Sequence, residues 1–125
     1  MPEREYFVLS IAHTQRRSPY IILWAPDDSG YRGRVAAAGR YTESQIKARI
    51  GYYNDGENTI AVPCDELEPL SHPVPDGWFD ENGGRWLRNN RATWQAAIKH
   101  AIAPPRRRPY PEYRGAPRTR EVSNA

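Results

Sequence analysis

The sequence predicts an α+β domain: a small antiparallel sheet of three to five strands with two helices packed on one face, followed by a disordered basic C-terminal tail. Three observations carry this. An N-terminal run alternates with period two, a later run repeats apolar residues at helical spacing, and beyond residue 103 prolines and arginines replace aliphatic residues. The division is one domain over residues 1–103 and a Pro/Arg-rich tail over 104–125.

The elements follow in chain order. Tyr6 to Thr14 places Phe7, Leu9 and Ile11 on one face and Val8 and Ser10 on the other, the pattern of a strand. A polar turn, Gln15 to Pro19, leads to Tyr20-Ile21-Ile22-Leu23-Trp24. That run is apolar on both faces, so it is expected to be the more central strand. Pro26-Asp27-Asp28-Ser29-Gly30 is turn chemistry, and Tyr31 to Val35 returns as a short third strand. Thr42-Glu43-Ser44-Gln45 is a capping box, followed by Ile46 and Ile50 one turn apart, which predicts a helix from about Glu43 to about Tyr52. Thr59-Ile60-Ala61-Val62 is a strand that stops at Pro63, and a helical turn follows with Leu67 and Leu70 as its buried face. Ser71 to Gly77 reads as loop. Trp78-Phe79 and Arg85-Trp86-Leu87 flank an Asn-Gly-Gly turn, a small hairpin. Asn89 or Asn90 caps a final amphipathic helix whose stripe is Trp94, Ala97, Ile98, Ala101 and Ile102. Pro104-Pro105 ends it.

The formal net charge of +3 divides unevenly. Residues 104–125 hold six arginines against two glutamates, a net +4; the remainder holds twelve bases and thirteen acids, a net −1. Cys64 to Glu81 contains six acids and no base, so the folded part is expected to be dipolar. The tail has almost nothing aliphatic to bury, so it is expected to stay disordered and extended. There is no apolar run of membrane-spanning length, and the charged N-terminus lacks a signal-peptide core. The expectation is a soluble protein in the cytoplasm of the host cell, without a membrane partner.

The chemistry of single residues points away from catalysis. Cys64 sits at a helix start, but Asp65, Glu66 and Glu68 crowd it and oppose a thiolate. His13, His72 and His100 lie far apart, and no ligand spacing suggests a metal or cofactor. No Gly-rich phosphate fingerprint is present. The expectation is therefore a non-enzyme with no catalytic residue, no metal and no cofactor.

Binding is better supported. Four tryptophans and eight tyrosines exceed what a small core needs. Tyr31, Arg32, Arg34, Arg40 and Tyr41 interleave aromatics with arginines, the chemistry that stacks a base and clamps a phosphate. Asp76, Asp80 and Glu81 offer an acidic contact surface that could mimic nucleic acid toward a basic host protein. In the tail, Arg106, Arg107, Arg108, Tyr110, Tyr113 and Arg114 offer a non-specific nucleic-acid contact. Exposed strand edges are compatible with a homodimer.

At Ser10-Ile11-Ala12-His13-Thr14, Trp24 to Tyr31, Ala38 to Glu43, Gly51-Tyr52-Tyr53-Asn54 and Ala61-Val62-Pro63-Cys64 the chain resembles a group of small proteins of unknown function encoded in phages and prophages of proteobacteria. The likeness spans roughly the first 70 residues and assigns no catalytic residue. By analogy it implies an inhibitor of host defence that occupies a host protein or a phosphate-bearing small ligand such as a nucleotide signal. The alternative is a nucleic-acid-binding accessory of phage DNA metabolism that uses the tail.

Overall fold

The computed structural model describes residues 3–75 and 84–117. It bears out the α+β class. One antiparallel sheet contains β1 (Glu5–Ser10), β2 (Leu23–Trp24), β3 (Tyr31–Arg32), β4 (Tyr41–Thr42) and β5 (Thr59–Pro63). A separate ribbon pairs β6 (His72–Pro73) with β7 (Arg85–Trp86). The helices are α1 (Glu43–Ala48), α2 (Ile50–Tyr53), α3 (Cys64–Leu67) and α4 (Arg91–Lys99).

The central strand is β1, which corrects the expectation for Tyr20–Trp24. β5 follows one edge of β1 from Tyr6↔Pro63 to Ser10↔Thr59. β2 and β4 share the other edge, at Leu9↔Leu23 and Tyr6↔Tyr41. Thr14 explains why the second strand is short. Its hydroxyl donates to the Ser10 carbonyl at 2.7 Å and accepts the Ile22 N–H at 3.0 Å. The Ile21 N–H goes elsewhere, to the Leu87 carbonyl at 2.9 Å. Only Leu23 and Trp24 are left for the regular ladder.

Alternation along β1 sends Phe7 and Leu9 into one core and Tyr6 and Val8 into another. α4 closes the first core with Trp94 and Ala97; α1 and α2 close the second with Ile46 and Tyr53. The expectation that both helices cover one face is thereby corrected. β1 is apolar in both registers, so each face of the sheet needs its own cover.

The predicted capping box is present: Thr42 Oγ1 accepts the Gln45 N–H at 3.2 Å, and Gln45 Oε1 accepts the Thr42 N–H at 2.9 Å. The helix it starts breaks at Arg49 (φ −137°, ψ 49°), and α2 then carries Tyr53 into the second core. Asn90 caps α4, its Oδ1 accepting from the Thr93 N–H at 2.9 Å. Leu67 is buried as expected, but Leu70 is exposed. In the expected hairpin, Trp78-Phe79 lies outside the described residues, and Arg85–Trp86 pairs with His72–Pro73 in what reads as loop.

The basic segment is bound to the domain further along than its composition suggests. Residues 104–117 form no helix or strand, as their prolines dictate, yet Tyr113 and Ala116 join the first core. Arg16 grips this strap: Nε donates to Glu112 Oε2 at 2.8 Å, and Nη1 donates to the Tyr113 and Ala116 carbonyls at 3.2 and 2.9 Å. At its start, the Arg107 N–H donates to the Asp55 carbonyl at 2.8 Å. The expectation of a flexible appendage from Pro104 is therefore corrected for 104–117; residues 118–125 lie outside the described residues. Long-range polar anchors and two small apolar plugs hold the strap where it lacks aliphatic residues.

Candidate functional site

The β2–β3 hairpin builds a small cavity. Trp24 lies directly opposite Tyr31, and Leu23 opposite Arg32. Directly opposed residues project on the same face. Leu23 is fully buried, so Trp24 and Tyr31 stand together on the other face of the hairpin. The turn between them supplies Asp28, and α2 supplies Tyr52. Trp24, Asp28, Gly30, Tyr31 and Tyr52 line a cavity of about 180 Å³. The Trp24 and Tyr52 rings meet edge to face, with centroids 5.2 Å apart at 70°. His13 backs Tyr31 with a centroid distance of 4.2 Å.

The turn is held in an unusual shape. Asp27 and Asp28 both take left-handed backbone, φ 57° and 56°. Such a conformation costs an L-residue up to roughly 1–2 kcal/mol, least for Asp and Asn. Side chains compensate at Asp28. Its N–H donates to the Tyr41 hydroxyl at 3.0 Å, and the Tyr53 hydroxyl donates to its carboxylate at 3.1 Å. Tyr41 in turn donates to the Ala25 carbonyl at 2.5 Å. Burial pushes the Tyr41 phenol up to about 12, so it stays protonated and keeps that donor. Asp27 is exposed and, among the described residues, makes no compensating side-chain bond. Asp27→Gly is therefore expected to raise stability by about 0.5–1 kcal/mol, read as the urea midpoint.

Charge frames the cavity. The Arg49 guanidinium stands 4.1 Å from the Tyr52 ring centroid and 4.0 Å from the Asp28 carboxylate. Arg32 turns back to donate to the Tyr31 carbonyl at 2.8 Å, beside Gly30. The Trp24 indole nitrogen is buried with no hydrogen-bond partner among the described residues. An unpaired buried donor costs about 1–3 kcal/mol.

The residues singled out in the sequence are dispersed. Tyr31 lines the cavity, with Arg32 at its edge. Tyr41 is buried and works as a brace. Arg40 is bound to Glu5 at 3.0 Å and Glu68 at 3.3 Å. Arg34 lies beside Gly84, away from this lining. Asp76, Asp80 and Glu81 lie outside the described residues. Of the other acids in that stretch, Asp65 pairs with Arg4 at 2.7 Å and Glu66 faces His100 at 3.3 Å, so this side is less anionic than its composition suggests. On the strap, Arg107 pairs with Glu57 at 3.5 Å and Tyr113 is buried. Arg106, Arg108 and Arg114 are exposed, and Arg108 stands over the half-buried Tyr110. Trp24, Asp28 and Tyr52 escaped sequence reasoning. The signal for the first two was a turn flanked by aromatics, Trp24 and Tyr31.

Cys64 is fully buried at the start of α3, and burial pushes its thiol up to about 12. The neutral thiol is not a nucleophile at pH 7. Alkylation of the native protein by iodoacetamide is expected to run about a hundredfold slower than for free cysteine, and to recover in urea. Intact-mass spectrometry reads this directly. Among the described residues, no group of three His, Cys, Asp or Glu side chains converges as a metal site. No described helix is long and apolar enough to cross a membrane. No family model, curated protein or solved structure matches this chain.

Proposed function

We propose that this protein works by binding rather than catalysis, and that the cavity beside Trp24 takes the base of a guanine nucleotide. The observation that carries the reading is the convergence of three aromatic rings and one carboxylate on a cavity of about 180 Å³, room for a single base. Tyr31 and Tyr52 are exposed, with His13 and Arg49 each against one ring face, so a base would stack on the opposite faces, worth about 1–3 kcal/mol per base. The Asp28 carboxylate is an acceptor only, so it suits an edge with adjacent N–H donors, as guanine N1 and N2 provide. Arg32 beside Gly30 and Arg49 over Tyr52 border the lining and would supply guanidiniums for the phosphate.

In the setting implied by the phage and prophage resemblance, the protein would inhibit a host defence system by occupying its nucleotide signal. The alternative, a nucleic-acid accessory acting through the strap, is supported by the exposure of Arg106, Arg108 and Arg114. Against it stand the pairing of Arg107 and the burial of Tyr113.

Calorimetric titration of the full chain with GMP and AMP tests the reading. GMP is expected to bind saturably and at least tenfold more tightly than AMP. Asp28→Asn keeps the shape of the turn and is expected to erase that preference. Equal affinities for the two nucleotides, unchanged in Asp28→Asn, would overturn the proposal.

A further inference from the structure

A second concavity lies between α4 and the strap, away from the base cavity. It measures about 190 Å³. One wall is Arg91 and Ile98 of α4; the other is Arg108, Pro109, Tyr110 and Pro111. The described lining contains no acid.

The charge lining this groove is of one sign. Arg4, Arg16, Arg40, Arg49 and Arg107 each stand within 4.0 Å of a carboxylate. Arg91 and Arg108, like Arg17, Arg88 and Arg114, have no such partner among the described residues, and these two face one groove. Two unneutralised guanidiniums along an apolar trough are complementary to an anionic ligand with an apolar part. The walls are also preorganised. Proline fixes φ on the strap side, and the strap is fastened by Arg16 and by the Asn89 amide, which donates to the Glu112 carbonyl at 3.0 Å. A rigid groove loses little entropy when it is filled.

Nucleic acid fits less well. Trp94 and Tyr113 also line the groove but are almost wholly buried in the core, so neither presents a free ring face for a base. Tyr110 already carries the Arg108 guanidinium 5.6 Å from its centroid. An oligonucleotide would find charge without a stacking platform.

We propose that the groove between α4 and the strap docks an acidic peptide segment of a partner protein, with an apolar side chain seated on Ile98 and carboxylates on Arg91 and Arg108. This site is independent of the base cavity.

Fluorescence polarisation with the full chain tests it. The probe is a labelled eight-residue peptide of Asp and Glu around a central Leu-Phe pair; the controls are the same peptide with Lys for each acid, and labelled oligo-dT. The acidic peptide is expected to bind saturably and the Lys peptide not to bind. Arg91→Gln with Arg108→Gln, a surface change that spares the core, is expected to weaken binding at least tenfold. Amide shifts at Gln95 and Ile98 should follow the titration. Absence of acidic-peptide binding, binding unaffected by the double substitution, or oligo-dT binding tighter than the peptide at Arg91 and Arg108 would each overturn the proposal.

Discussion

Asn89→Ala is expected to destabilise the protein by about 3 kcal/mol and to lower its melting temperature by roughly 12 °C. The amide joins three segments that are distant in sequence. Asn89 Nδ2 donates toward the Gln15, Ser18 and Glu112 carbonyls at 3.1, 3.0 and 3.0 Å. Its Oδ1 accepts from the Trp94 indole N–H at 2.6 Å. Asn89 and Trp94 are both buried, so water does not replace these bonds easily. Truncation would leave a buried indole donor and several carbonyls unpaired, each a penalty of roughly 1–3 kcal/mol before relaxation. Asn90→Ala, one residue along, removes only a helix cap and is expected to cost about 1 kcal/mol. Similar losses at the two positions would show that Asn89 is not the junction described here. Thermal melts of the two variants decide between the outcomes.

Gly56→Ala is expected to cost more than about 2 kcal/mol and to release the start of the strap. Gly56 has φ +88°, a conformation that disfavours a side chain. A Cβ there would also lie 1.7 Å from the Arg107 carbonyl oxygen and 2.7 Å from Pro105 Cβ. Backbone cannot yield at such a distance, so residues 105–107 must lift. That movement breaks the bond from the Arg107 N–H to the Asp55 carbonyl. Trypsin should then cut after Arg106 or Arg107 at least tenfold faster than in the wild type under native conditions. An unchanged cleavage rate would mean that the strap does not rest on Gly56.

Much of the sheet was legible because its signals are local. The alternation of Tyr6 to Ile11, the box at Thr42 to Gln45 and the Trp94–Ala97–Ile98 stripe each depend on neighbours within a turn or two. The centrality of β1 was legible only by noticing that Tyr6 and Val8 are as apolar as Phe7 and Leu9. The short β2 was not, since it depends on a threonine eight residues away capturing the Ile22 N–H. The strap was hidden by its own composition. Its fastening comes from Arg16 and Asn89, outside the segment, and its burial from only Tyr113 and Ala116. At the cavity beside Trp24, Tyr31 was legible as an aromatic among arginines. Asp28 was not, because its orientation depends on left-handed backbone and on the Tyr41 and Tyr53 hydroxyls. Tyr52 required the break at Arg49, which an uninterrupted helix from Glu43 to Tyr52 would not contain.

The proposed base site is tested most directly at Trp24, whose side chain lines the cavity. In a ¹H–¹⁵N spectrum of the full chain, the Trp24 indole resonance is assigned by Trp24→Phe and followed during titration with GMP. It is expected to shift progressively and saturate, while the Trp94 indole, held by Asn89 at 2.6 Å, stays in place. A Trp24 resonance unmoved at millimolar GMP, or a titration that moves Trp94 alone, would contradict the assignment of this cavity as the binding site.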